Sequence, residues 1–274
     1  MATKNILVHL GDDPETNLRM DVAVDACKHF GAHLTALYMQ EVKIPVGAVG
    51  RGGYLAENQE KVQKYADALR HRVGRLCKKA GVDWEWAGTD SEHFETVFRY
   101  TSLSDLIILS HITIEDLEDR IFFKQLEELI IRAGAPILVL PSEYKRSGPP
   151  GYADKILIAW KPSGEAIRAV RDTLDMIRSA SEVTVFTADN SPDNPDNPAD
   201  GILRYLKSHG IEAKSEHHIE DSRIGDQIVN VAVEQGAELI IMGAYGRSGI
   251  AEKLLGGATR HIMTRSPLPV LLSH

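Results

Sequence analysis

Short, continuously apolar runs recur along the chain and alternate with longer segments of helical hydrophobic spacing. The clearest runs read ILVHL, LTALYM, LIILS and PILVL in the first half, and ILIA, VTVFTA, LIIM and PVLLS in the second. They lack the alternation of a half-exposed strand, which is typical of parallel strands covered on both faces. The pattern therefore predicts an α/β fold built from doubly wound parallel sheets.

The runs of the two halves align pairwise and in the same order, so the chain is a repeat of two similar domains. A charged, proline- and glycine-rich stretch, EYKRSGPPGYAD, separates them and predicts domains at 1–145 and 152–274. A second proline-rich stretch, DNSPDNPDNPAD, predicts a surface excursion inside the second domain. The predicted helices cover 14–30, 56–80, 92–101, 118–133, 163–179, 199–209, 222–235 and 257–265.

Composition narrows the class of protein. The 274 residues are 43% hydrophobic and 26% charged, with a formal net charge of -8, which argues against a nucleic-acid footprint. No segment is apolar for long enough to span a bilayer, and a strand-like run begins by residue 5, which leaves no room for a signal peptide. We expect a cytoplasmic protein in which Cys27 and Cys77 are buried, reduced thiols.

Glycines cluster after the last long apolar run, in the stretch LIIMGAYGRSGIAEKLLGGAT at 239–259. Glycine costs about 1 kcal/mol relative to alanine in a helix, so such a cluster needs a reason. The N–H groups of a helix beginning at GGAT, with a cation in the preceding turn, suit a phosphate. Neither a Walker A sequence nor a GxGxxG after the first strands is present. A role of the glycines in shaping a turn stays open.

The spacing Gly243-x2-Gly246-x9-Gly256 resembles the ATP-binding signature of universal stress proteins, G-x2-G-x9-G-[ST]. The resemblance covers the whole chain, because each half has the five strands and four helices of that family. It implies two tandem, Rossmann-like, five-stranded sheets of order 3-2-1-4-5. It also implies adenine nucleotide between the ends of strands 1 and 4, and antiparallel pairing of the fifth strands, Ile137–Leu140 and Val270–Ser273, within the chain or with another copy.

Carried over by position, the resemblance assigns a phosphate side and an adenosine side to the second domain. The phosphate residues would be Gly243, Gly246, Arg247, Ser248, Gly256, Gly257 and Thr259. The adenosine would lie against Ala159, Trp160 and Lys161 after strand 1, Ala188 after strand 2, and Met242. Two positions depart from the family pattern: Gly257 replaces the expected Ser or Thr, and Lys161 replaces the usual acidic residue.

The first domain lacks these glycines. Ser110, Thr113 and Phe123 stand where the second domain has its three signature glycines, within a segment that carries several carboxylates. Bulk and negative charge both oppose a phosphate, so we interpret this copy as a degenerate nucleotide site.

The resemblance implies a stress-response protein that binds ATP, with magnesium as an optional companion, and acts as a sensor or signalling module. No base or metal ligand flanks the loop, so strong catalysis is not expected. Two alternatives remain: a nucleotide-free protein-interaction module and a slow ATP hydrolase. The expected partners are the adenine nucleotide and a second copy in a homodimer, with neither nucleic acid nor membrane.

Other candidate residues are interpreted structurally. The stretch GAVGRGG, Gly47 to Gly53, predicts a mobile loop without a helix directly behind it. His217 and His218 are neighbours on a strand and point to opposite faces, so they cannot hold one metal together. His9 and His111 lie at strand ends and are expected to be hydrogen-bonded. Trp84 and Trp86 share one strand face and are expected to pack under a helix.

Overall fold

A computed structural model describes residues 3–39, 52–89, 94–110, 117–142, 144, 153–189, 198–220, 223–244 and 257–274. These residues divide into two compact units, 3–108 and 109–274. The predicted domains, 1–145 and 152–274, were defined by the sequence repeat, whereas the two units are defined by contacts between residues. The domain boundaries therefore stay a prediction.

The unit at 3–108 is built on parallel strands that lie in the order Trp84–Thr89, His33–Met39, Asn5–Leu10 and Leu106–Ser110. Helices connect the strands and begin and end close to their predicted positions. The elements are β1 (Asn5–Leu10), α1 (Thr16–Phe30), β2 (His33–Met39), α2 (Gly52–Ala80), β3 (Trp84–Thr89), α3 (Phe94–Thr101) and β4 (Leu106–Ser110), the last two residues of which belong to the other unit.

The unit at 109–274 repeats this arrangement, adds a fifth parallel strand and contains one antiparallel pair of strands. Its parallel strands have the predicted order 3-2-1-4-5, which here is Lys214–Ile219, Glu182–Asp189, Lys155–Ala159, Leu239–Gly243 and Val270–Ser273. The elements are α4 (Leu117–Arg132), β5 (Ile137–Leu140), β6 (Lys155–Ala159), α5 (Gly164–Asp172), α6 (Leu174–Ser179), β7 (Glu182–Asp189), α7 (Asp200–Ser208), β8 (Lys214–Ile219), α8 (Ile224–Glu234), β9 (Leu239–Gly243), α9 (Gly257–Arg265) and β10 (Val270–Ser273).

The central strands are buried on both faces. In β1 the consecutive side chains of Ile6, Leu7 and Val8 are at most 1% exposed, although neighbours on a strand point in opposite directions. Ile156, Leu157 and Ile158 of β6 repeat this pattern. Burial of successive residues is what a parallel sheet between two helical layers requires, so the predicted fold class is confirmed.

The fifth strands pair as predicted. β5 runs antiparallel to β10, with Val139 opposite Val270 and Ile137 opposite Leu272. Both strands are buried along their whole length. An apolar strand with an open edge invites aggregation, and this pairing covers one edge of each strand within the chain.

Two predicted helix boundaries are wrong. The helix expected over 163–179 is two helices, α5 and α6, because the hydroxyl of Thr173 donates to the carbonyl of Ala169 at 2.6 Å and Thr173 leaves helical geometry. The helix expected from residue 56 begins at Gly52, so Gly52 and Gly53 belong to α2 rather than to a loop. Residues 47–51 lie outside the described part of the chain.

Both cysteines are buried and free, as expected. Burial raises the pKa of Cys27 to about 12, with a further contribution from the nearby Cys77, and raises the pKa of Cys77 to about 11. Trp84 packs against α2, where a Cβ at Gly74 would lie 3.0 Å from its ring. Trp86 instead stacks on Tyr38 of the neighbouring strand, with ring centroids 5.8 Å apart.

Candidate functional site

The carboxyl ends of β6 and β9 lie side by side in the second unit. Ala159, at the end of β6, is in register with Met242 of β9, so two predicted adenosine contacts are neighbours. The next residue, Trp160, donates its backbone N–H to the carbonyl of Phe186 on β7 at 2.8 Å. Lys161 then leaves the sheet with an exposed side chain. Ligands of open α/β sheets bind at this edge, where connections leave in opposite directions.

The position of Ala188 differs from the expectation. It lies inside β7, opposite His218 of β8, rather than after the strand. The strand continues to Asp189 because its carbonyl still accepts a hydrogen bond across the sheet. The donor is the backbone N–H of Glu220, the residue after β8, at 2.8 Å. β7 is therefore longer than the apolar run that predicted it.

Gly243 meets the first turn of α5. A Cβ on Gly243 would lie 2.5 Å from the backbone nitrogen of Ala166 and 2.8 Å from the carbonyl carbon of Glu165. Real Cβ atoms do not approach backbone so closely, so only glycine fits beneath this helix. The close packing of α5 on β9 thus explains Gly243 without any ligand.

The first turn of α5 is capped and carries a carboxylate. The hydroxyl oxygen of Ser163 accepts the backbone N–H of Ala166 at 3.2 Å, which satisfies one free donor of the helix start. Burial would raise the pKa of Glu165, but its own backbone N–H, Ser163, Arg168 and His274 outweigh burial and lower that pKa. Glu165 therefore stays ionised, with Arg168 3.7 Å away.

Helix α9 begins at Gly257, the residue that replaces the family's Ser or Thr. Gly257 is exposed, and a Cβ there would meet nothing within 4 Å. Thr259, the proposed source of a hydroxyl, is only 6% exposed. Helix α9 contacts α8 through His261 Nε2, which lies 2.8 Å from Asp226 Oδ1. Sequence reasoning missed this pair, because no spacing signal links residues of two separate helices.

The remaining predicted phosphate residues lie outside the described part of the chain. They are Gly246, Arg247, Ser248 and Gly256. Of the residues that align with them in the first copy, the structure describes Phe123, the counterpart of Gly256. Phe123 lies inside α4, which begins at Leu117. The first copy therefore has regular helix where the second copy has Gly256.

The end of β1 holds a buried arginine that sequence reasoning missed. Arg19 of α1 is 2% exposed, and its Nε donates to the backbone carbonyl of His9 at 2.7 Å. Its Nη2 donates to Thr16 Oγ1 at 2.7 Å and pairs with the carboxylate of Asp13. Tyr65 of α2 adds a hydrogen bond to the Gly11 carbonyl at 3.2 Å. The first copy therefore fills its strand end with its own side chains.

His9 is expected to make the stability of the first unit depend on pH. Burial and then the charge of Arg19 lower the pKa of His9 to about 3, against the opposing effect of Asp13. Only the unfolded chain takes up a proton on His9 between pH 6.5 and about 3. Stability is therefore full above pH 6.5 and is lost as pH falls, by up to about 1.4 kcal/mol per pH unit. Urea unfolding of wild type and His9→Gln across this range tests the effect, and parallel pH slopes would contradict it.

The other candidates behave as structural residues. The Nδ1 of His217 lies 3.1 Å from Thr187 Oγ1, and His218 stacks on Phe186 with centroids 5.2 Å apart, so the two rings do not share a site. Within the described residues, no group of three or more His, Cys, Asp or Glu could hold a metal ion. His111 lies outside them.

The sequence profile of the Universal stress protein family matches residues 153–274, which include β6 to β10 and the glycine-rich stretch. Residues 153–274 are therefore a universal stress protein domain. A universal stress protein of Methanocaldococcus jannaschii is 38% identical over 47 residues, a match that spans 17% of this chain and 29% of that relative.

Solved structures extend the likeness in fold to the whole chain. A universal stress protein from Archaeoglobus fulgidus superposes with a TM-score of 0.71 at 17% identity, covering 97% of this chain and 95% of its own. A protein of unknown function from Pseudomonas aeruginosa gives a TM-score of 0.62 at 19% identity, with 99% and 92% covered. At such identities the likeness shows the fold alone. None of the helices within the described ranges has the length and apolar character to cross a membrane.

Proposed function

We propose that the C-terminal copy binds ATP, with or without magnesium, and acts as a nucleotide-dependent sensor or signalling module in the stress response. The contrast between the two copies carries this proposal. Phe123 lies inside a helix where the second copy has Gly256, so the common fold does not require a glycine at that position. Glycines retained without a structural need are best explained by a ligand that approaches the backbone.

The described part of the proposed site offers a different surface to each of the two ends of a nucleotide. The strand ends at Ala159 and Met242 are adjacent, and Ala188 lies near the end of the next strand, which offers an apolar surface to adenosine. The exposed start of α9 at Gly257 would offer the N–H groups of a helix N-terminus and the positive end of a helix dipole to phosphate.

The remaining contacts of the proposed site rest on the family resemblance and on the chemistry of the side chains. Lys161 and Arg247 would neutralise phosphate charge, while Ser248 and Thr259 would offer hydroxyl groups. Trp160 would border the adenosine, and the backbone at Gly246 and Gly256 would approach the phosphates. Gly243 contributes indirectly, because it lets α5 pack beside the strand end.

Binding is proposed to signal rather than to support rapid turnover. Two groups of this unit that could accept a proton are engaged in structure: Glu165 is paired with Arg168, and His261 contacts Asp226. A general base that acts on the attacking water typically speeds such a reaction by about 10²–10⁴-fold. The proposal also includes a cytoplasmic location and a homodimer, as the sequence predicts.

Calorimetric titration of ATP into wild type and Gly246→Val tests the nucleotide site. We expect saturable binding by wild type and its loss in the variant, because a branched side chain would occupy the space in which the phosphates meet the backbone. Gly201→Val is a matched control, since a Cβ at Gly201 meets nothing within 4 Å and the residue lies in α7. The control is expected to bind as wild type does.

The outcomes separate the three functions. Absence of binding by wild type at millimolar ATP would overturn the proposal and favour the nucleotide-free interaction module. Binding accompanied by steady phosphate release, lost in Gly246→Val, would favour the slow hydrolase. Equal binding by wild type and Gly246→Val would place the nucleotide elsewhere.

A further inference from the structure

A basic groove lies on the outer surface of the first unit, between α2 and the start of β3. Arg70, His71, Arg75 and Lys78 line it, together with Asp67 and the ring of Trp84. Its volume is about 400 Å³ and it opens to solvent. This α2–β3 groove belongs to the N-terminal copy, so it is separate from the proposed nucleotide site.

Helical spacing produces the groove. Val73 and Cys77 are fully buried and anchor α2 on the sheet. His71, Arg75 and Lys78 lie on the exposed side of the helix, away from these two anchors. Gly74 lowers the helix surface between them, and Trp84 fills the space, because a Cβ at Gly74 would lie 3.0 Å from its ring. The indole thus forms an apolar floor below a row of cations.

The charges of the groove are concentrated and uncompensated. Residues 68–80 contain five Lys or Arg and no Asp or Glu, although acidic residues outnumber basic ones in the chain, 39 to 31. Among the described residues, no carboxylate forms an ion pair with Arg70, Arg75 or Lys78, whereas Lys64 on the same helix pairs with Glu60 at 2.6 Å. The one carboxylate in the lining, Asp67, accepts a hydrogen bond from Gln63 at 3.0 Å.

The arrangement of these cations favours an extended anion. Arg70 and Lys78 are eight residues apart, which corresponds to about 12 Å along a helix axis. A compact anion could reach only one end of such a row, whereas a chain of linked phosphates carries charge along its length. Arginine guanidinium groups bind phosphate oxygens through two parallel hydrogen bonds, which suits this chemistry.

We propose that the α2–β3 groove binds a linear condensed phosphate through Arg70, Arg75 and Lys78. His71 lies between the two arginines and adds a further donor to the row. Single-stranded nucleic acid shares the charged backbone, but Trp84 is half-buried against α2 and offers little ring surface for stacked bases. The net charge of -8 also opposes the binding of a polyanion that is long enough to extend beyond the groove over the rest of the protein surface.

Tryptophan fluorescence can locate binding, because the chain has three tryptophans. In the double variant Trp86→Phe/Trp160→Phe, all tryptophan fluorescence comes from Trp84 in the groove. In Trp84→Phe/Trp86→Phe it comes from Trp160, which lies beside the proposed nucleotide site. We expect inorganic triphosphate to change the Trp84 signal, with weaker binding of orthophosphate and of compact citrate. Higher salt should weaken the binding, because the cations are exposed.

Charge variants in the background that retains Trp84 complete the test, with circular dichroism to establish that each folds. Arg75→Glu should weaken triphosphate binding at least about tenfold, as expected for the loss of a charge-assisted contact. Lys79→Ala is the matched control: it is an exposed cation of the same helix that does not line the groove, and it should leave the affinity unchanged.

Three results would overturn the proposal. They are a Trp84 signal unchanged by triphosphate, equal loss of affinity in Arg75→Glu and Lys79→Ala, and tighter binding of an oligothymidylate than of triphosphate. A response of Trp160 alone would assign triphosphate to the glycine-rich stretch and would likewise exclude the groove. Failure here leaves the proposed ATP site intact, because that site is tested by Gly246→Val.

Discussion

Replacing Gly243 with alanine is expected to lower the free energy of unfolding by about 3 kcal/mol, the upper range for inserting a methyl group into well-packed structure. The new Cβ would lie 2.5 Å from the backbone nitrogen of Ala166 and 2.8 Å from the carbonyl carbon of Glu165. A side chain could rotate away from such a contact, but backbone atoms in the first turn of a helix cannot. Helix α5 must therefore shift off β9 and lose its close packing.

Urea unfolding of nucleotide-free protein, followed by circular dichroism, measures this effect. Gly201→Ala is the control, since its Cβ enters open space in a helix and is expected to be neutral or slightly stabilising. A Gly243→Ala variant as stable as this control would contradict the close approach of α5. Since the effect requires no ligand, loss of ATP binding in a Gly243 variant would not identify a phosphate contact, whereas Gly246 offers a sharper probe.

The sheet could be predicted from the sequence because its signal is local. Runs such as Ile156–Ile158 are buried on both faces, and only a covered parallel strand requires consecutive apolar side chains. The order of strands came from the family resemblance and agrees with the observed pairing. Helix ends were less accurate: the break at Thr173 depends on one hydroxyl that bonds to the Ala169 carbonyl, and threonine is also common inside continuous helices.

The candidate site was predictable only in part, for a similar reason. Adjacent strand ends follow from topology, which is why Ala159 and Met242 are neighbours as expected. Gly243 illustrates the limit: a glycine in a suggestive motif can satisfy a packing contact with a helix that is far away in sequence. The same limit hid Arg19, since an arginine among apolar helix positions gives no sign of the carbonyl of His9 to which it bonds.

Replacing Arg19 with alanine is expected to destabilise the first unit by about 3–5 kcal/mol, the range for breaking a buried ion pair from one side. The change leaves the His9 carbonyl and the Thr16 hydroxyl without their arginine donor, and it leaves the Asp13 carboxylate partly buried beside them. Arg178→Ala is the matched control. Arg178 pairs with Asp175 at 3.0 Å, but its side chain is 50% exposed, so a loss below about 1 kcal/mol is expected.

The dependence on pH identifies the cause of the loss. Burial would raise the pKa of Asp13, but the hydrogen bond and charge of Arg19, aided by Thr16, hold it below its ordinary value. In wild type this contribution is present above the unfolded pKa of about 3.9 and is lost as pH falls through the lower folded value. In Arg19→Ala the carboxylate has lost its cation and protonates more readily, which relieves the penalty at low pH. The difference in unfolding free energy between wild type and variant should therefore shrink below about pH 4 through Asp13, after a first decrease below pH 6.5 through His9, whose pKa the Arg19 charge also lowers. Loss of packing alone would leave a difference independent of pH.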